Sequence, residues 1–130
     1  MENQHSEEVK RLLQETKVWV LSTCDEKPNA IPVFFTSVKG DELIIFDVFM
    51  SKTLENLNRN SNVSVTVFSD STMEGYQIKG IARHSTDTSL LDEGNAAAAA
   101  LGLSVKGALV IAPQEIYVLT PGPDNGKRLM

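Results

Sequence analysis

Ser51, Lys52 and Thr53 follow directly on an apolar stretch, ELIIFDVFM, and open a helical pattern, SKTLENLNRN. A helix start offers unpaired backbone N–H groups and a partial positive charge, which suit a phosphate monoester. Lys52 adds a point charge there and Thr53 a short hydroxyl donor. Beside this corner, Pro32, Val33 and Phe34 on one strand and Asp47, Val48, Phe49 and Met50 at the end of another offer apolar surface and backbone groups to a flat ring. An anion grip next to a planar apolar surface matches the two ends of FMN.

Those residues need a scaffold, and the hydrophobic pattern supplies one. Val9, Leu12 and Leu13 recur at helical spacing after Ser6, a residue suited to capping, and predict a helix running to Lys17. Val18–Thr23, Asn29–Val38, Glu42–Val48, Val63–Ser69 and Gly75–His84 read as strands, the fourth with Val63, Val65 and Val67 in strict alternation. Ala108–Ala112 and Glu115–Leu119 read as two more, separated by Pro113. Asp25–Pro28, Gly40-Asp41 and Asp70–Glu74 are turn sequences. Helices are expected over Ser51–Asn60, with Leu54 and Leu57 toward the core and Lys52, Thr53 and Asn56 on or near the opposite side, and over Thr86–Leu103, where Ala96–Ala100 favours helix and close packing against the barrel. Pro121–Met130 reads as a loose tail. Strands fall mostly as neighbouring hairpins and do not alternate with helices. That order predicts a mainly β fold, an antiparallel split β-barrel of six or seven strands with Greek-key connections and about three short helices. Alternation would place Phe35 on the face opposite Phe34, so at most one of the pair meets a ring.

Length and composition set limits. The chain of 130 residues, 42% of them hydrophobic, fits one domain spanning 1–130. A formal charge of -5 is not that of a nucleic-acid or anionic-membrane binder. Cys24 is the single cysteine, which excludes an internal disulfide and suits a reducing compartment; together with the polar start MENQHSEEVK it leads us to expect a cytoplasmic protein. His5 and His84 lack the spacing of a metal site, and no GxGxxG, Walker or GxSxG motif is present. With no self-contained acid, base and nucleophile set, no catalytic residue is assigned, and redox chemistry would have to come from a cofactor. Trp19 suits the core, as do Phe34, Phe46 and Phe49 in their alternative role.

The run PNAIPVFF, then ELIIFDVFMSKTLENLNRNSNVSVTVFS, then GYQIKGIAR resembles the FMN-binding split-barrel family of pyridoxamine 5'-phosphate oxidase, and within it the short FMN-binding proteins. The resemblance spans about Val9 to Leu119. It implies phosphate contacts at Lys52 and Thr53 with Pro32 and Val33 nearby, and ring contacts at Phe34, Asp47, Val48, Phe49 and Met50. It further implies a homodimer with the flavin groove at the interface, an unidentified redox partner or small-molecule substrate, and Leu103, Ser104 and Val105 as a lid over the partner's flavin. Two departures stand out. Pro32 has neither an N–H nor a polar side chain where relatives have a polar residue, and Val48 and Phe49 replace small residues. The C-terminal extension that serves the vitamin substrate is also missing, so pyridoxamine phosphate oxidation is not expected. A groove altered in this way also suits a non-catalytic binding or sensing module for haem or a deazaflavin, and a structural dimer without cofactor is the third reading.

Overall fold

A computed structural model describes residues 4–48 and 50–130, with backbone alone at 4–6. The chain runs α1 (Gln4–Glu15), β1 (Trp19–Cys24), β2 (Pro28–Val33), β3 (Thr36–Lys39), β4 (Glu42–Asp47), α2 (Ser51–Leu57), β5 (Asn62–Phe68), β6 (Gly75–Ser85), α3 (Thr88–Ala98) and β7 (Gly107–Val118). All seven strands form one sheet in the order β2-β1-β5-β6-β7-β4-β3, with every pairing antiparallel.

The expected strand Asn29–Val38 is two strands, and this difference makes the fold. β2 pairs with β1 at one edge of the sheet and β3 with β4 at the other, although only Phe34 and Phe35 separate them. Three Cα steps span at most about 11 Å. The two edges must therefore meet at that point, and the sheet curls upon itself with a split between β2 and β3. Pro28 and Pro32 both lie in β2, an edge strand, where a missing N–H breaks no ladder and discourages further pairing.

Alternation along the strands divides the side chains between the inside of the curl and its outer surface. Trp19, Leu21, Leu43, Ile45, Val63, Val65, Val67, Ile78, Leu109 and Ile111 point inward and form the main core with Val9, Leu12 and Leu13 of α1. Trp19 is a core residue as expected, and its Nε1 donates to the Leu13 carbonyl at 3.0 Å, tying α1 to β1. A second cluster lies on the outer surface of β4 and β7, where Ile44, Phe46, Ala108 and Val110 pack under α3.

Several boundaries differ from the sequence pattern for local reasons. The first helix begins at Gln4, so Ser6 lies inside it and is not its cap. The two final strands are one, because Pro113 sits opposite Gly80 where the β6–β7 register shifts between Lys79 and Gly80, and the ladder absorbs it as a bulge. α3 begins after Asp87, whose carboxylate accepts from the Ser89 N–H at 2.9 Å and the Ser89 hydroxyl at 2.8 Å. It tightens into a 3-10 turn over Ala99–Leu101 and stops at Gly102, which adopts φ +69°. Of the alanine run only Ala98 is buried; Gly94, one turn earlier, makes the close approach to Phe46. Pro121–Met130 is not loose. It folds back on β7 through Gly126 N–H to Val118 O at 2.7 Å, Val118 N–H to Lys127 O at 2.9 Å and Leu129 N–H to Ile116 O at 2.8 Å.

Candidate functional site

The split between β2 and β3 opens as a small apolar cleft of about 60 Å³ lined by Ile31, Pro32, Val33, Phe34, Phe35, Phe46, Val48 and Met50. Five residues singled out from the sequence meet here: Pro32, Val33, Phe34, Val48 and Met50. They come from three parts of the chain. Pro32 and Val33 end β2, Phe34 lies in the link between the sheet edges, and Val48 and Met50 belong to the turn from β4 into α2. Phe34 is 49% exposed, a large apolar surface left to solvent at the rim. Its ring lies 4.8 Å from that of Phe35, tilted by 49°. The expectation that Phe34 and Phe35 face opposite ways fails, since both line the cleft. Strand alternation ends at Val33, and the bend at Phe35 resets the direction of the side chains.

Asp47 is placed differently. It ends β4 two residues after the inward-facing Ile45 and is almost fully buried. Strand alternation separates it from Phe46 and Val48, and its carbonyl accepts from the Lys106 N–H at 2.9 Å. It is not among the cleft's lining residues. Phe49 falls outside the described residues.

α2 begins at Ser51 directly beyond the cleft, and no side chain caps its N-terminus. Lys52 is exposed, with Glu55 3.8 Å away on the same helix, a weak surface pair. Thr53 and Asn56, expected near the open side, are buried, while Leu54 and Leu57 are only half-buried. The reason lies in what α2 covers. The inward positions at this end of the curl are Thr23 of β1 and Asn29 of β2, and a polar floor needs polar partners. Asn56 Nδ2 donates to Thr23 Oγ1 at 3.1 Å, and Asn29 Nδ2 lies 3.3 Å from Thr53 Oγ1 and 3.4 Å from Thr23 Oγ1. The Thr53 hydroxyl thus accepts from within the fold, and its backbone N–H is what it holds at the first turn. The pattern along the chain did not single out Thr23 or Asn29 as partners of α2. The signal was available in β1, where Trp19, Leu21 and Thr23 share one face and the last is polar.

Leu103, Ser104 and Val105 follow α3. Val105 is buried in the cluster beneath that helix and its N–H donates to Asn95 Oδ1 at 2.8 Å, while Leu103 is half-buried against the same cluster. Ser104 is exposed. Two of the three residues expected as a lid are therefore packed into their own chain.

The cleft is concave, apolar and open on one side, and it can bind one face of a planar ring. Its volume is far below the roughly 300–1,000 Å³ of a closed small-molecule pocket. The outer face of the sheet adjoins it. Pro32 shares the outer face of the sheet with Val20, its register partner, and Val20 with Thr66. Among the described residues there is no cluster of His, Cys, Asp and Glu able to hold a metal ion, and no helix long and apolar enough to cross a membrane.

Comparisons with known proteins agree with this geometry. The family model for pyridoxamine 5'-phosphate oxidase matches residues 5–121. An uncharacterised protein of Methanocaldococcus jannaschii is 36% identical over 126 residues, which is 93% of this chain and 84% of that one. Among solved structures, HupZ of Group A Streptococcus superimposes with a TM-score of 0.77 at 20% identity, covering 92% of this chain and 98% of that one. An FMN-binding protein of Syntrophomonas wolfei gives 0.76 at 18% identity, covering 87% and 84%. At such identities the two structures establish the fold.

Proposed function

The chain belongs to the pyridoxamine 5'-phosphate oxidase-like split-barrel family, and we propose that it binds FMN as a homodimer and serves flavin-dependent oxidation and reduction or electron transfer. The observation that carries this reading is the apolar cleft at the split, which brings Pro32, Val33, Phe34, Val48 and Met50 together directly before the start of α2.

The residues present suit the group. Phe34, Val48 and Met50, with Pro32 and Val33, form an apolar wall for one face of the isoalloxazine. Lys52 and the first-turn N–H groups of α2, that of Thr53 included, receive the phosphate. The buried Thr23–Asn29–Thr53–Asn56 network holds that turn in place. FMN supplies the electron chemistry when bound; the chain orients it and keeps water from one face. A second copy docked on the outer face around Pro32 and Val20 would close the groove, which explains how a cleft of this size serves a large ligand. A reducing, cytoplasmic setting suits the single Cys24.

The visible spectrum of the purified protein tests the proposal. The expected result is a yellow protein that releases FMN on denaturation and sediments as a dimer. Colourless protein that takes up no added FMN at micromolar concentration would end it. Lys52→Ala should weaken FMN by roughly tenfold or more, the worth of one charged hydrogen bond. Unchanged affinity would move the phosphate elsewhere.

Pro32 favours a second reading within the same groove. With no N–H and no polar side chain it withholds a donor from the phosphate, which suits haem or a deazaflavin in a binding or sensing module. A ligand that binds only the native state raises its unfolding midpoint. A larger rise with haem or a deazaflavin than with FMN would select that reading.

A further inference from the structure

The folded-back tail builds a second concavity at the Val118 end of β7, the opposite end of that strand from Gly107, which pairs with Asp47. It shares no lining residue with the apolar cleft. Its volume is about 260 Å³, and its walls come from α1 (Glu8), the turn entering β6 (Glu74), the end of β7 (Val118) and the tail from Thr120 to Leu129. Liquid water occupies about 30 Å³ per molecule, so the space exceeds what one bridging water fills.

Tyr76 lies at the floor. It is 6% exposed with its ring in the main core, and it also lines the cavity. Among the described residues its hydroxyl has no hydrogen-bond partner, and it opens onto the cavity. Burial raises its pKa, and the charges of Glu8 and Glu74 raise it further, which places the phenol oxygen within their field. The hydroxyl therefore stays neutral and is free to accept as well as donate.

The charged lining is lopsided. Glu8, Glu74 and Asp124 face one ammonium, Lys127. Arg11 holds Glu74 through Nη2–Oε2 at 2.6 Å, which neutralises that carboxylate. Glu8 and Asp124 carry no ion pair or side-chain hydrogen bond among the described residues, so against Lys127 they leave negative charge in excess. Val118, Pro121, Pro123 and Leu129 supply apolar wall beside them.

We propose that this cavity is a binding site for a small organic ammonium compound with an apolar body. The ammonium donates to the Glu8 and Asp124 carboxylates and to the Tyr76 oxygen, and the body packs on Val118, Pro121 and Leu129. The hydroxyl of a tyrosine that is 6% exposed, with no hydrogen-bond partner among the described residues, lines the same concavity as the two carboxylates and distinguishes the site from an acidic surface alone.

Benzylammonium, benzyl alcohol and benzoate are suitable probes, titrated into the isotope-labelled full chain while amide resonances are followed. Benzylammonium should give saturable shifts at Glu74, Gly122, Asp124 and Lys127, with affinity at least about tenfold above that of benzyl alcohol, as charge-assisted hydrogen bonds require. Tyr76→Phe keeps the ring in the core, so its unfolding midpoint should hold while affinity falls roughly three- to tenfold; Asp124→Asn should do the same. Shifts that do not saturate, equal binding of the alcohol, preference for benzoate, or affinity untouched by both variants would each overturn the proposal. Adding FMN should leave the titration unchanged, so the outcome is independent of whether the first site binds flavin.

Discussion

The outer face of the curled sheet has two halves that the same strand pattern treats in opposite ways. Over β4 and β7 the outward residues are Ile44, Phe46, Ala108 and Val110, and α3 covers them, with Gly94 and Ala98 letting the helix approach. Over β2, β1, β5 and β6 the outward residues include Pro28, Ala30, Pro32, Val20, Ser22, Cys24, Ser64, Thr66, Phe68, Gln77, Lys79 and Ile81, and among the described residues no helix belongs to a core cluster with them. The covered half is large and apolar. The bare half is mixed in composition, with Val20 37% exposed. One half is a core completed within the chain. The other mixes small apolar and polar residues with the charged Lys79 and is more polar than a core. The candidate flavin cleft lies at the seam, with Phe46 and Val48 from the covered side and Pro32 from the bare one.

The contrast can be broken from either side. Phe46→Ala should have the largest effect, lowering stability by about 3–5 kcal/mol in urea denaturation, because it empties the centre of the covered half. A loss under about 1 kcal/mol would mean that α3 is not a structural cover. Gly94→Ala should cost about 1–3 kcal/mol despite the better helix propensity of alanine, since the new Cβ would stand 2.6 Å from Phe46 Cδ1 and 3.0 Å from Val105 Cγ2. Val20→Glu on the bare half should change the stability of the isolated chain by no more than about 0.5 kcal/mol. It should nonetheless halve the sedimenting mass and abolish FMN retention. A dimer that survives this change would place the interface elsewhere.

The smallest effect concerns the first turn of α3. Hydrogen bonds from the Ser89 hydroxyl and the backbone N–H groups of Ser89 and Leu90 hold the Asp87 carboxyl below its ordinary pKa. Its folded pKa is thus below its unfolded one, so the cap contributes stability above the unfolded value and loses it as pH falls through the folded value. Amide exchange at Leu90 and Leu91 should accelerate across that acid range, and Asp87→Asn should remove the pH dependence.

Much of this was legible in the residues themselves. Seven apolar or alternating segments with turn sequences between them indicate an antiparallel β fold, and the order of strand, turn, Ser51, Lys52 and Thr53 marks the corner at α2. Pattern could not show that Asn29–Val38 breaks at Phe34, because a continuous run of β-prone residues has the same period whether or not the chain bends within it. Nor could it show that Pro113 lies inside a strand, since the bulge that absorbs the proline is opposite it, at Gly80. Thr53 and Asn56 looked exposed because polar residues on a short helix usually are, and only Thr23 and Asn29, distant in sequence, explain why they turn inward.

By itself the sequence determined most of the strand and helix segments and their antiparallel, mainly β character, since these follow from side-chain period and local propensity. Tertiary structure alone decided that Phe34 and Phe35 join the two edges of one sheet, that a cleft opens there, that the tail closes over Tyr76, and which half of the outer face stays bare. The physical reason is that local pattern fixes the direction of a side chain from its strand, whereas what it meets depends on long-range pairing between strands and on which helix returns to cover them.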